Sequence, residues 1–215
     1  MKKEEIIKSL LEAKAVAVVR LSDSSKMIRV AEAIYKGGVS AIEITTSVPN
    51  AIEVIKNASR EIGSYMNVGV GTVLNAETAQ QAIDAGAKYV VSPFFKKEIL
   101  ETAHRNGIPV MPGAFTPTEI QTAYEAGADV IKIFPADVVG MAFFKGVLAP
   151  MPYLKLMPTG GVTLINAGDW IKSGACAVGV GTALLDKKAI AEENYSILTD
   201  NAKVLMESIR KAEVK

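Results

Sequence analysis

The chain has 215 residues, of which 49% are apolar and 22% are charged, and its formal net charge at pH 7 is +1. This balance is typical of a globular protein with a sizeable core. So small a net charge gives no electrostatic reason to expect nucleic acid or a membrane surface as the main partner. One cysteine, Cys176, cannot form an intrachain disulfide, which favours a cytoplasmic location. With a single histidine, His104, the chain offers too few ligands for zinc, and we expect no metal and no cofactor.

The predicted elements repeat a helix–glycine–strand pattern along the chain. The first helix lies within residues 1–14, where apolar residues form one helical stripe, and the first strand is AKAVAVVRL at residues 13–21. The pattern recurs in KGGVSAIEIT, IGSYMNVGVG, AGAKYVVSP, NGIPVMPG, AGADVIKIFP and SGACAVGVG. The remaining strand lies in APMPYLKLMPTGG, where prolines instead of glycine stop the preceding helix. The other helices are predicted near residues 25–37, 50–61, 76–85, 96–105, 117–126, 138–148 and 164–173, with a final helical stretch from about 188 to 212.

Eight helix-covered strands in strict alternation predict an α/β fold. Runs such as AVAVVR and YVVS are continuously apolar, as in parallel strands that are covered on both faces. The even spacing favours a closed (β/α)8 TIM barrel with an extra N-terminal helix, in a single domain over residues 1–215. A doubly wound open sheet is the alternative.

Polar residues stand where the predicted strands end, which is where TIM barrels carry their reacting groups. Alternation puts Glu43 and Thr45 on one face of the second strand, and Lys132 and Phe134 on one face of the sixth. The branched residues between them suit the helix-covered side, so Glu43 and Lys132 are predicted to point into the barrel. Arg20 joins them by the same counting.

Such a buried pair has a structural and a catalytic interpretation. A Lys132–Glu43 pair in isolation fits a structural ion pair equally well. The convergence of Arg20, Thr45 and Thr72 on the same rim favours a functional site. An amine among apolar groups loses its charge more easily, so it can attack a ketone and form a Schiff base. A nearby carboxylate can then move the protons.

Two glycine segments, PTGGV and GVGTALL, predict an anion site. They follow the seventh and eighth strands, where backbone N–H groups of TIM barrels commonly bind phosphate. A tight turn alone would explain Gly160 and Gly161. No lysine or arginine lies in the two loops, so backbone amides and Thr182 are expected to do most of the binding.

The sequence resembles the 2-keto-3-deoxy-6-phosphogluconate (KDPG) aldolases, including the bifunctional 4-hydroxy-2-oxoglutarate enzymes. The resemblance runs from VAVVR to GVGTALL and includes GGVSAIEIT, GVGTVLN, VSPFF, MPGAFTPTE, IKIFPAD and MPTGGV. It implies a class I aldolase of carbohydrate metabolism that cleaves KDPG reversibly to pyruvate and glyceraldehyde 3-phosphate, without a metal and as a homotrimer.

The resemblance also implies a role for each matching residue. Lys132 would be the Schiff-base lysine and Glu43 the general acid/base. The substrate would be bound through its carboxylate by Arg20 and Thr72, beside Thr159, between walls formed by Pro93 and Phe134, and through its phosphate by Gly160, Gly161, Gly181 and Thr182.

This sequence departs from part of the family at Ser47, where some members have a substrate-binding arginine. Other members have an arginine at the end of the first strand instead, and Arg20 matches those. Cleavage of 4-hydroxy-2-oxoglutarate to pyruvate and glyoxylate would be a further activity that the resemblance implies. The alternatives are a 6-phosphogalactonate aldolase and a phosphate-binding barrel isomerase or synthase. A catalytically silent barrel that serves as a scaffold or metabolite sensor is a further alternative.

Overall fold

Parallel strands and helices alternate in the computed structural model, which describes residues 2–213 of the 215. The ends of the predicted domain, residues 1, 214 and 215, lie outside the described residues. The strands are β1 (Ala15–Val19), β2 (Ala41–Thr45), β3 (Asn67–Gly71), β4 (Val90–Val91), β5 (Val110–Met111), β6 (Gly113–Ala114), β7 (Ile131–Ile133), β8 (Leu156–Pro158) and β9 (Val178–Val180). The helices are α1 (Lys3–Ala13), a 3-10 turn (Ser24–Lys26), α2 (Met27–Lys36), α3 (Ala51–Glu61), α4 (Ala76–Asp84), α5 (Lys97–Arg105), α6 (Pro117–Glu125), α7 (Ala136–Leu148), α8 (Ala167–Lys172), α9 (Lys187–Ala191) and α10 (Tyr195–Glu213).

Consecutive strands lie side by side in two parallel sheets. One sheet has the order β5-β4-β3-β2-β1-β9, and the other has the order β6-β7-β8. A parallel bridge joins Thr159, just after β8, to Gly179 of β9. The prediction of an α/β fold with parallel strands is confirmed. A doubly wound sheet reverses its strand order part-way, and neither of these sheets does so.

Residues of each strand alternate between two cores. In β1, Ala15, Ala17 and Val19 pack in the large cluster, which also contains buried residues of the helices α2–α10. Val16 points the other way, into a smaller cluster that we call the inner core. The inner core consists of Ile6, Leu10, Ala13, Val16, Ala41, Tyr89, Val91, Met111, Val130, Met157 and Ala177.

Helix α1 covers the inner core at the N-terminal ends of the strands. Its residues Ile6 and Leu10 are each 2% exposed and pack among the first inward residues of the strands. Burying side chains of this size stabilises the fold by about 1.5–3 kcal/mol each. Since α1 covers this end, the polar inward residues near the strand C-termini lie at the other end.

Two predicted elements and one predicted helix-ending glycine differ from the structure. The fifth predicted strand is split into β5 and β6 because Pro112 has no N–H group for the ladder, although its carbonyl accepts from the Lys132 N–H. The final predicted helix is two helices, α9 and α10, and Glu193 between them has a φ of 57°. Six of the predicted helices end at a glycine, and among these glycines Gly63 lacks the positive φ of the other five, which are Gly38, Gly86, Gly107, Gly127 and Gly174. Within residues 2–213, the chain has no helix with the length and apolar character needed to span a bilayer.

Candidate active site

Lys132 lies at the centre of the site, on the inner face of β7. Its neighbours Ile131 and Ile133 pack in the large cluster with the helices, so alternation turns the lysine inward. The residue is only 4% exposed. Its Nζ lies 3.9 Å from Oε1 of Glu43 and 5.2 Å from the centroid of the Phe134 ring, within the range of a cation–π contact. The predicted Lys132–Glu43 pair is therefore present.

Glu43 is fully buried on β2, and neither of its carboxylate oxygens has a hydrogen-bond partner among the described residues. Space for the carboxylate comes from Gly71 on β3, because a Cβ atom there would collide with the Glu43 side chain. A buried carboxylate without hydrogen bonds is costly, and nearly all buried polar groups in proteins are paired. Both oxygens of Glu43 thus have free acceptor positions, and Oε1 is the one that lies 3.9 Å from the amine of Lys132.

Tyr89 is a third polar group beside this pair, and it was not predicted from the sequence. Its ring packs on Gly69, which is paired in register with Glu43. The residue is fully buried, and its hydroxyl has no hydrogen-bond partner in residues 2–213. Burial raises the pKa of the phenol well above its ordinary value, and the Glu43 carboxylate raises it further. The alternation of Tyr89 with Val91 in KYVVS could have indicated this position.

The two glycine segments lie at the ends of β8 and β9, which are the seventh and eighth predicted strands, as expected. Thr159 is 5% exposed, its hydroxyl has no partner among the described residues, and its side chain packs against Gly179. Gly160 and Gly161 have φ values of 99° and 71°, a region that favours glycine. The carboxylate of Asp137 lies beside them, 3.1 Å from the position of a Cβ at Gly160. This acidic neighbour was not anticipated from the sequence.

Arg20 lies at the rim, just after β1, and is exposed. Its Nη1 atom is 3.9 Å from the position of a Cβ at Gly181, so the guanidinium faces the segment after β9. Arg20, Gly181 and Thr182 line one cavity of about 430 Å³. In the part of the chain that the structure describes, Arg20 forms no salt bridge with Glu43. Arg20 and the Lys132–Glu43 pair are therefore separate groups on the same rim.

The remaining predicted residues border the site on its other sides. Thr72 follows β3 with a φ of 59°, uncommon for a non-glycine residue and often associated with functional loops. Its carbonyl accepts a hydrogen bond of 2.9 Å from the Thr46 hydroxyl. Ser47 is exposed, and its hydroxyl lies 2.7 Å from that of Thr45. Pro93 and Phe134 line a smaller cavity together with Phe94, Phe95 and Phe115.

Comparison with known proteins decides the family. The model of the KDPG and KHG aldolase family matches residues 6–200. The chain belongs to this family. It is therefore an aldolase, a carbon–carbon lyase, and the resemblance noted from the sequence motifs is confirmed.

Individual relatives and solved structures agree with this assignment. The chain is 32% identical over 195 residues to a 2-dehydro-3-deoxy-phosphogluconate aldolase of Treponema pallidum, covering 90% of this chain and 92% of the relative. It is 31% identical over 175 residues to a probable 2-dehydro-3-deoxy-6-phosphogalactonate aldolase of Rhizobium meliloti, covering 81% and 82%. A crystal structure of KDPG aldolase from Legionella pneumophila, with pyruvate captured at low pH as a covalent carbinolamine intermediate, superposes with a TM-score of 0.86 at 25% identity, covering 93% and 97%.

The ionisable residues outside this rim differ in their surroundings. Burial raises the pKa of the Cys176 thiol to about 11. His104 bonds Asp129 near the start of β7, at the opposite end of the strands. Within residues 2–213, no three His, Cys, Asp or Glu side chains are grouped so that they could hold a metal ion.

Proposed function

We propose that this aldolase cleaves KDPG reversibly to pyruvate and glyceraldehyde 3-phosphate through a Schiff base on Lys132. The observation that carries the proposal is the buried amine of Lys132, 3.9 Å from a carboxylate that has no other partner among the described residues. A lysine in this setting can act as a nucleophile toward a ketone, and Glu43 is close enough to exchange protons with the bound substrate directly or through one water.

The steps use only these two side chains and water. The neutral amine of Lys132 attacks C2 of the keto acid, and loss of water gives the protonated imine. Glu43 accepts the proton of the C4 hydroxyl, the C3–C4 bond breaks, and its electron pair moves toward the imine. Glyceraldehyde 3-phosphate leaves, and Glu43 returns the proton to C3 of the enamine. Hydrolysis of the pyruvyl imine then releases pyruvate and the free amine.

The rest of the rim would hold the two ends of the substrate. Arg20 and Thr72 would bind the carboxylate beside Thr159, and Pro93 and Phe134 would form apolar walls. The phosphate would be bound by Gly160, Gly161, Gly181 and Thr182. Support comes from their position after β8 and β9, where TIM barrels bind phosphate.

We further propose that the two sheets form one closed (β/α)8 barrel, with α1 as an extra helix and residues 1–215 as one domain. The bridge from Thr159 to Gly179 and the short connection at Pro112 support closure.

A homotrimer is proposed from the resemblance, and the exposed aromatic residues Phe94, Phe115, Tyr124 and Tyr153 offer apolar surface for it. The single cysteine, Cys176, supports a cytoplasmic location.

The galactonate epimer of KDPG is the second candidate substrate, since one relative is a probable aldolase for it. Pyruvate release coupled to lactate dehydrogenase tests the choice. We expect the highest kcat/KM with KDPG, and lower values with the galactonate epimer and with 4-hydroxy-2-oxoglutarate. A higher value for either of the other two would reassign the substrate. Release from none of the three would contradict the proposed substrate.

A further inference from the structure

The cavity beside the ends of β1 and β9 contains more positive charge than the glycine segments suggest. Its volume of about 430 Å³ is in the range of small-molecule sites. Four charged residues line it, namely Arg20, Asp23, Lys26 and Lys187. Since charges that already have partners bind a ligand poorly, the partners of each residue decide what the cavity can bind.

Two of the four charges are already engaged. Lys26 donates to the carbonyl oxygens of Ile190 and Ala191, each at 3.0 Å. The carboxylate of Asp23 accepts from the backbone N–H of Ser25 at 3.1 Å and from its hydroxyl at 2.6 Å. These contacts fix the loop after β1 against the end of α9, and they leave Arg20 and Lys187 as the available cations.

Lys187 and its neighbour Lys188 differ in whether they have a salt-bridge partner and in whether they line the cavity. Both begin α9, whose N-cap Asp186 accepts from the Ala189 N–H at 2.7 Å and so holds the segment in place. Lys188 lies 4.0 Å from Glu192, and its side chain is 83% exposed. Lys187 lines the cavity with Gly181 and Thr182, and it has no salt-bridge partner in residues 2–213. Lys188 is thus a matched control for Lys187.

We propose that Lys187 is a specificity-determining residue whose ammonium binds the phosphate group of the substrate, an inference that rests on the proposed function. The glycine segments offer only neutral N–H groups, and Asp137 places a carboxylate beside Gly160 and Gly161. A cation that lines the same cavity as Gly181 and Thr182 would offset this carboxylate and strengthen the binding of a phosphate dianion. Arg20 lines the same cavity but is assigned to the substrate carboxylate, so Lys187 is the one available cation of this cavity, among the described residues, that has no other assignment.

Steady-state kinetics on two substrates test the role. Lys187→Met keeps the apolar stem and removes the charge. We expect its kcat/KM for KDPG to fall roughly ten-fold, mainly through KM, because one charge-assisted contact is lost. With 4-hydroxy-2-oxoglutarate, which has no phosphate, kcat/KM should stay at the wild-type value. Lys188→Met should match the wild type on both substrates. Equal losses on both substrates in Lys187→Met, or no loss on either, would overturn the inference.

Binding of inorganic phosphate gives a readout that needs no catalysis. By calorimetry, the Kd should rise roughly ten-fold in Lys187→Met and stay unchanged in Lys188→Met. The same Kd in the wild type and Lys187→Met would contradict the role of Lys187. A wild-type protein that binds phosphate through Lys187 but releases no pyruvate would contradict the proposed function instead, and would leave this cation site standing.

Discussion

The two ends of the strands differ in how their buried acidic groups are partnered. Near the start of β7, Asp129 accepts from the Val110 N–H at 3.0 Å, lies 2.8 Å from the ammonium of Lys3 and lies 3.0 Å from His104. Near the opposite end, Glu43 has Lys132 at 3.9 Å and no hydrogen bond among the described residues. Because an unpaired buried carboxylate lowers stability, Glu43 indicates that its end is organised for chemistry, whereas the partnered Asp129 indicates that the other end is organised for folding.

Of the substitutions that test this difference between the two ends, Lys132→Met should have the largest effect. The substitution keeps the approximate volume but removes the nucleophile, so we expect pyruvate release to fall by at least about 10⁴-fold, as for loss of a covalent catalyst. The coupled assay with lactate dehydrogenase measures it. A loss of less than about ten-fold would remove Lys132 from the covalent step.

Glu43→Gln should have the next largest effect. The amide has the same shape but cannot accept and return protons, so kcat should fall by about 10²–10⁴-fold, the usual contribution of a general acid/base. Trapping of pyruvate on Lys132 by borohydride should persist, because the amine is untouched. If trapping and turnover were lost together, Glu43 would be needed already for imine formation.

Asp129→Asn tests the partnered end. Lys3 and His104 would lose their anionic partner, while the amide oxygen can still accept from the Val110 N–H. We expect a loss of about 2 kcal/mol in the free energy of unfolding, measured with urea, since a hydrogen bond to a charged group contributes about 1.5–3 kcal/mol. Folded protein should keep the wild-type kcat. A large fall in kcat at full folding would show that the two ends are coupled.

Tyr89→Phe should have the smallest effect. The sign of the change in the free energy of unfolding shows whether the hydroxyl is hydrogen-bonded. The substitution removes a buried hydroxyl that has no partner within residues 2–213. Removing such a group relieves its desolvation cost, so the free energy of unfolding should stay the same or rise by up to about 1 kcal/mol. A clear loss of stability in urea unfolding would mean that the hydroxyl is hydrogen-bonded in solution.

The main pair of the site could be predicted from the sequence because alternation is a local property. The period of two along β2 and β7 put Glu43 and Lys132 on the inner face, and the structure brings them together. Tyr89 follows the same rule, but its place beside Glu43 depends on Gly69 and Gly71 of another strand. A contact of that kind is set by strand register, which local patterns do not give.

Other features also depended on long-range packing. The split at Pro112 follows from a missing N–H that matters only once neighbouring strands are in place. The break between α9 and α10 places Lys26 against Ile190, across 164 residues of chain. Lys187 stands two residues beyond GVGTALL, so the second glycine segment itself contains no cation, whereas the structure places Lys187 in the cavity with Gly181 and Thr182.

The central claim is that Lys132 forms a covalent imine with the keto acid. Sodium borohydride added with pyruvate, followed by peptide mapping with mass spectrometry, tests it most directly. We expect one reduced pyruvyl group, located on Lys132 and absent from Lys132→Met. No adduct, or an adduct on a different lysine, would contradict it.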